Sequence, residues 1–317
     1  MEDLQFIPNI NARSIKGFRG KVIGLIVPSY YDDFFSKILE GVLKAAESFG
    51  LRVIVFSCHG DAALEGDCLK SAAASGICGL LYCPSAEISA EKLCSIFPKD
   101  FPTVIVYRRD MVKGIPHIYH DNINGGYLAT KYLLRQGHQN TAFFASFWQK
   151  PCDDIDGLLA LMNTSKCGAY SSLDRLAGHI KALEENGIPF DKSLLFSIGY
   201  GFDNGYKGAK DFLSKMRDFD AVICGNDSVA AGVMQALREQ NISVPEQVSL
   251  VGYDDSIFAT IARPQLTSVR QEPYRLGFES AEMLTGLMQG QTVKDRIIDM
   301  QLVVRDSTSV KHNNSNF

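Results

Sequence analysis

"DAVICGNDSVAAGVMQALREQNISVPEQVSLVGYDD", residues 220–255, holds one complete strand–helix–strand unit. "DAVICGN" is an apolar run without alternation, the pattern of a strand buried on both faces. Asp227 is placed to cap the helix "SVAAGVMQALREQ". "QVSLVGYDD" returns as a second strand. Strand, helix and strand in this order predict a parallel crossover, and parallel sheets need helices on their faces.

The same rhythm extends in both directions. Upstream, "KVIGLIVPS" reads as a strand, followed by a helix with Phe35, Ile38, Leu39, Val42 and Ala45 at helical spacing and Gly50 as its stop. "LRVIVFSC", "ICGLLYCPS" and "TVIVY" are further strands, with the helix "ALEGDCLKSAAASG" between the first two. The helix "GGYLATKYLLRQG" and the strand "TAFFASF" follow. Residues 148–172 break the alternation and read as an irregular excursion between lobes with one short helix. The alternation then resumes through "LDRLAGHIKALEENG", "SLLFSIG" and "DNGYKGAKDFLSKM". Downstream of residue 255 come the strand "LTSVRQ", the helix "YRLGFESAEMLTGLMQG" and one last strand, "RIIDMQLVVR". The polar end "DSTSVKHNNSNF", residues 306–317, is expected to be disordered.

The expected fold is therefore α/β: two doubly wound parallel-sheet lobes with a ligand cleft between them. In such sheets ligands sit beyond the carboxyl ends of the strands. The residues there (Ser29, Tyr30, Asp121, Asn122, Tyr200, Asn226, Asp227, Asp254 and Asp255) are polar or aromatic, as a small polar ligand requires.

Composition narrows the function. The 317 residues carry a net charge of −4, so the body is no electrostatic glove for nucleic acid. A local basic patch, Arg13, Lys16, Arg19 and Lys21, is the exception. No apolar run reaches the ~18 residues of a membrane span, and no secretory pattern opens the chain, so a cytoplasmic protein is expected. The eight cysteines are scattered, several in apolar strands, and read as buried free thiols. There is no GxxxxGK[ST], GxSxG or HExxH motif. His117 and His120 would face opposite sides of a strand, and Asp153, Asp154 and Asp156 read as a solvated loop. Neither metal nor cofactor is expected, and no nucleophile–base pattern suggests an enzyme.

The combination of "FIPNINARSIKG", "VIGLIVPS", "GGYLATKYLLRQGH", "DRLAGHIKALEENGI", the opening stretch from Gly225 onward and "ARPQLTSVRQ", in one order, resembles the lac repressor/galactose repressor family of transcription regulators. The resemblance runs from about residue 4 to residue 305. It implies a periplasmic-binding-protein-like effector domain, a homodimer, and a helix-turn-helix headpiece joined by a hinge helix. On that reading residues 1–21 are the hinge and the remnant of a headpiece largely missing from this chain. Residues 22–147 plus 272–289 form the N-terminal lobe, and 148–271 plus 290–305 the C-terminal lobe. The resemblance assigns the hinge to Asn9, Ala12, Arg13, Ile15 and Lys16, with Ile15 as a minor-groove wedge. It assigns effector contacts to Phe34, Phe35, Asn122, Asn124, Arg175, Tyr200, Asn226 and Asp254. The stretch after Phe147 is longer than the family pattern, with Trp148 and its neighbours as a candidate lid.

The implied function is a ligand-responsive repressor that binds a small effector, a sugar ahead of a purine, and operator DNA in the full-length protein. A solute-binding protein of a transport system shares the fold and is the competing class. The hinge sequence and the missing secretory pattern favour the regulator.

Overall fold

The computed structural model describes residues 21–85, 90–148, 150–152, 154–164, 167–215 and 218–311. The hinge candidates Asn9, Ala12, Arg13, Ile15 and Lys16 lie outside the described residues.

Two compact units divide the chain. One combines the described residues up to Ile118 with Pro273–Arg296; the other combines Tyr119–Glu272 with the described residues from Ile297 onward. The expected border between residues 147 and 148 is thus displaced by about one helix and one strand. Pairing is the reason: strand β6 (Thr141–Phe147) lies inside the second sheet, bonded to β7 (Leu195–Gly199) and β8 (Ala221–Cys224).

The first sheet contains β1 (Val22–Val27), β2 (Arg52–Ser57), β3 (Leu80–Tyr82), β4 (Thr103–Val106), β5 (His117–His120) and β11 (Arg296–Ile298), in the order β11-β5-β4-β3-β1-β2. The second adds β9 (Ser249–Asp254), β10 (Thr267–Arg270) and β12 (Gln301–Val303), in the order β12-β10-β9-β8-β6-β7. Without the edge strands β11 and β12, both sheets follow one scheme. Their strand order reverses between β1 and β3 and between β6 and β8, the places where open α/β sheets bind ligands.

The helices are α1 (Asp33–Ser48), α2 (Ala62–Ala74), α3 (Ala90–Ile96), α4 (Asn122–Arg135), α5 (Ile155–Met162), α6 (Ser171–Glu185), α7 (Phe202–Ser214), α8 (Asp227–Glu239), α9 (Ile257–Ile261) and α10 (Pro273–Met288). Strand β6 shows how sequence becomes layers. All of "TAFFASF" is buried. Phe143, Ala145 and Phe147 join Ala129, Leu133, Leu173 and Leu176 of α4 and α6, whereas Ala142 and Phe144 join Phe212, Val229 and Val233 of α7 and α8. A residue period of two on a strand covered on both sides makes both faces core. Each buried phenylalanine contributes roughly 1.5–3 kcal/mol.

Three helix pairs meet through reciprocal glycines. A methyl group at Gly126 of α4 would lie 1.9 Å from the Arg175 carbonyl oxygen of α6, and one at Gly178 of α6 would lie 1.9 Å from the Ile123 carbonyl oxygen of α4. Gly41 and Gly277 do the same for α1 and α10, and Gly205 and Gly232 for α7 and α8. Only a residue without Cβ allows backbones this close.

Three expectations are corrected. Asn226, not Asp227, caps α8: its Oδ1 accepts from Val229 N at 2.8 Å, and Asp227 is the first helical residue. The single last strand splits into β11 and β12, which serve different sheets. Residues 306–311 are ordered rather than disordered. Ser307 is fully buried, its hydroxyl donating to Leu250 O and accepting from Thr267 N at 2.8 Å, and Lys311 reaches Asp220 at 2.6 Å.

Candidate functional site

The second unit concentrates polar side chains where its strands end. Arg175, in the second turn of α6, is 3% exposed. A buried guanidinium needs compensation. Its Nε donates to Asn122 Oδ1 at 2.9 Å, and one terminal nitrogen donates to the Gly225 carbonyl just past β8. The guanidinium carbon lies 3.7 Å above the ring of Tyr253, whose hydroxyl donates to the same Asn122 Oδ1 at 3.3 Å. Asn122 opens α4 and donates to His120 O at 3.2 Å. Four elements thereby lock one cation at the point where the strand order reverses.

Asn226 and Asn124 play smaller parts. Asn226 engages both ends of its amide within the protein, donating to Ser146 Oγ at 3.2 Å and capping α8. Asn124 sits in the first turn of α4, its backbone N–H held by Asp121 at 3.0 Å.

Asp254 ends β9 in the left-handed region, with φ of 106°, and Asp255 follows at 53°. Two consecutive non-glycine residues there carry backbone strain of order 1–3 kcal/mol each. Fixed partners hold them. Gln271 donates to Asp254 Oδ1 at 2.5 Å, and Asp255 is ion-paired with Arg270 at 2.6 Å and Arg305 at 2.5 Å. Beneath the same turn Asp227 is fully buried and accepts from Ser268 Oγ at 2.6 Å and Ser256 N at 2.7 Å. Burial pushes its carboxyl up to about 7 despite those donors.

Tyr200, at the end of β7, stacks on Trp148, at the end of the neighbouring β6, with ring centroids 4.4 Å apart and planes 16° apart. Trp148 begins the long excursion. Its helix α5 packs the fully buried Leu158 into the same core as α6, so the excursion belongs to the second unit rather than to a connection between lobes. Asp154 caps α5 by accepting from Gly157 N at 2.5 Å, and Asp156 pairs with Lys192 at 2.8 Å; Asp153 lies outside the described residues.

The first unit holds Phe34 and Phe35 in the opening turn of α1. They are 6% and 1% exposed, and both pack on Tyr107, at 4.9 and 5.5 Å between ring centroids. Phe35 is therefore a core residue rather than an open stacking face. Tyr107 itself, with φ of 78°, and Arg108, whose guanidinium lies 4.3 Å over the Tyr107 ring, escape sequence reading. So does Glu65, a buried carboxylate that holds Tyr82 and Ser85 at the ends of the strands. Tyr253 is likewise invisible in the sequence, because an aromatic inside a strand reads as core until its contact with Arg175 is seen.

The arrangement suits binding rather than bond-making: a forked donor, a carboxylate and an aromatic stack. A family model described as a periplasmic binding protein-like domain matches residues 130–308. The transcriptional regulator RegA of Clostridium saccharobutylicum is 30% identical over 97% of this chain and 88% of its own length. The transcriptional regulator GalR of Escherichia coli K12 is 28% identical over 98% of this chain and 85% of its own. Among solved structures, the lac repressor dimer bound to operator and an anti-inducer superposes with a TM-score of 0.79 at 23% identity, covering 96% of this chain and all of that one.

Proposed function

The chain belongs to the lac repressor/galactose repressor family of transcription regulators, and we propose that it is a cytoplasmic repressor whose effector is a small sugar-like molecule. It is a ligand-responsive regulator, not an enzyme and not a transport solute-binding protein. The observation that carries the effector reading is Arg175, buried at the reversal point of the second sheet and oriented by Asn122, Gly225 and Tyr253. Arg175 as a donor and Asp254 as an acceptor, both where strands of the second sheet end, match the adjacent hydroxyl groups of a sugar. Tyr200 and Trp148 add flat apolar faces, against which a purine would also stack, so purines are the competing class.

Operator binding is assigned to the hinge residues Asn9, Ala12, Arg13, Ile15 and Lys16, with Ile15 as the apolar wedge. The working form is a homodimer. No helix among the described residues is long and apolar enough to cross a membrane. Trp148 is the only tryptophan of the chain, so its fluorescence reports on the site. Titrating the chain with neutral mono- and disaccharides and with purines, read by calorimetry and by this fluorescence, separates the classes. Binding of purines and of no sugar would overturn the sugar assignment.

A further inference from the structure

At the opposite end of the second sheet, where its strands begin, lies a cavity of about 660 Å³. Asn140 and Thr141 at the start of β6, His179 in the middle of α6 and Asn186 at its close, and Phe190 and Asp218 are among its lining residues. No expected effector contact is among them.

His179 is the unusual member. It is 1% exposed, and its ring packs against Phe143 at 5.2 Å and Phe190 at 6.2 Å. Its Nδ1 lies 2.9 Å from Thr130 Oγ1. That hydroxyl donates its one proton to Gly126 O, 2.8 Å away and one turn back on α4. The Thr130 oxygen therefore accepts from His179, which puts the imidazole proton on Nδ1 and leaves Nε2 a bare acceptor. Burial holds the imidazole down to about 3, so the ring is neutral near pH 7. Nε2 has no hydrogen-bond partner among the described residues. The two nitrogens of an imidazole point to opposite sides of the ring. With Nδ1 turned to α4, Nε2 lies on the other side of the ring, and His179 is one of the residues that line the cavity.

A second observation lies on the same wall. Thr141 precedes Phe143 by two residues on the same face of β6, and its buried hydroxyl has no partner either. A buried hydroxyl left open beside an imidazole that lines the same cavity calls for an occupant. The surrounding charge narrows its class. The carbonyl end of α6, at Asn186, and Asp191 and Asp218 on the rim all favour donors and repel anions.

We propose that this cavity is a second ligand site, taking a small neutral nitrogen heterocycle whose ring N–H donates to His179 Nε2 beside the Thr141 hydroxyl. It is independent of the effector reading, which uses the other end of the strands. The test uses the 317-residue chain, with benzimidazole as probe and 1-methylbenzimidazole, which lacks the donor, as its control. Calorimetry is expected to show benzimidazole binding that weakens about tenfold or more on methylation of the probe and in His179→Phe, while Arg175→Ala leaves it unchanged. Long-range nitrogen NMR is expected to show His179 Nε2 moving on addition of the probe. If His179→Phe fails to fold, Thr141→Val supplies the second variant and is expected to weaken binding several-fold. Absence of binding, equal binding of the two probes, unchanged binding in the folded variants, or loss of binding in Arg175→Ala would each overturn the proposal.

Discussion

Arg175 and Asp227 illustrate two ways in which a buried charge is tolerated. Arg175 keeps its charge because a side-chain amide, a carbonyl and an aromatic face surround it. Truncation to alanine removes the Arg175 donors from Asn122 Oδ1, which keeps only the Tyr253 hydroxyl, and from Gly225 O, and effector affinity is expected to fall by ~1–3 kcal/mol in calorimetry. Asp227 instead yields to burial, its carboxyl rising to about 7. A carboxyl raised on folding binds protons more readily in the folded chain than in the unfolded one. Its contribution is present below the ordinary carboxylate range and is lost as pH rises towards 7. Thermal melts at pH 5 and pH 8 are expected to show wild type losing more stability over that interval than Asp227→Asn, which has no such titration. The family pattern singles out Arg175 and Asp254 in the sequence, and the structure finds one buried in a polar cluster and the other at the end of β9. Tyr253 and His179 escape it, because their roles depend on what α4 brings beside them.

At the scale of elements, the strands were legible because buried parallel strands announce themselves as unbroken apolar runs. The short α3 and α9 went unseen, having too few residues for a period to show. The split of "RIIDMQLVVR" was hidden for another reason: chain continuity says nothing about which sheet a residue joins. The glycine crossings were equally silent, since a helical glycine looks like a weak helix former until its neighbour is known. Gly126→Ala places a methyl against the Arg175 carbonyl and is expected to cost ~1–3 kcal/mol in denaturant unfolding. It should also lower effector affinity, by moving the helix that carries Arg175. Gly66→Ala, on α2 with only the tip of Lys92 at 4.0 Å, is the matched control and is expected to stabilise by up to ~1 kcal/mol.

For the whole molecule, strand β2 closes one edge of the first sheet with Ile54 and Val55 exposed at 36% and 37%. Leu43, on α1, and Leu64, on α2, are exposed in the same unit. An apolar edge that the described residues leave uncovered invites a partner, and in the proposed homodimer that partner is a second copy. The double change Ile54→Lys and Val55→Glu is expected to shift the protein to monomer in sedimentation velocity, with its melting temperature little changed. The segmented make-up of the two units has a temporal consequence. The first unit is completed by Pro273–Arg296, and α10 is laid against α1 through Gly277 and Gly41. On the ribosome, then, the half synthesised first waits unfinished until residue 296 has been made, and the second unit, which needs β12, closes only after that, so neither leading nor trailing unit can finish early. Nascent chains arrested before residue 273 are expected to stay open to protease along residues 33–48, and chains released past residue 296 to become resistant there.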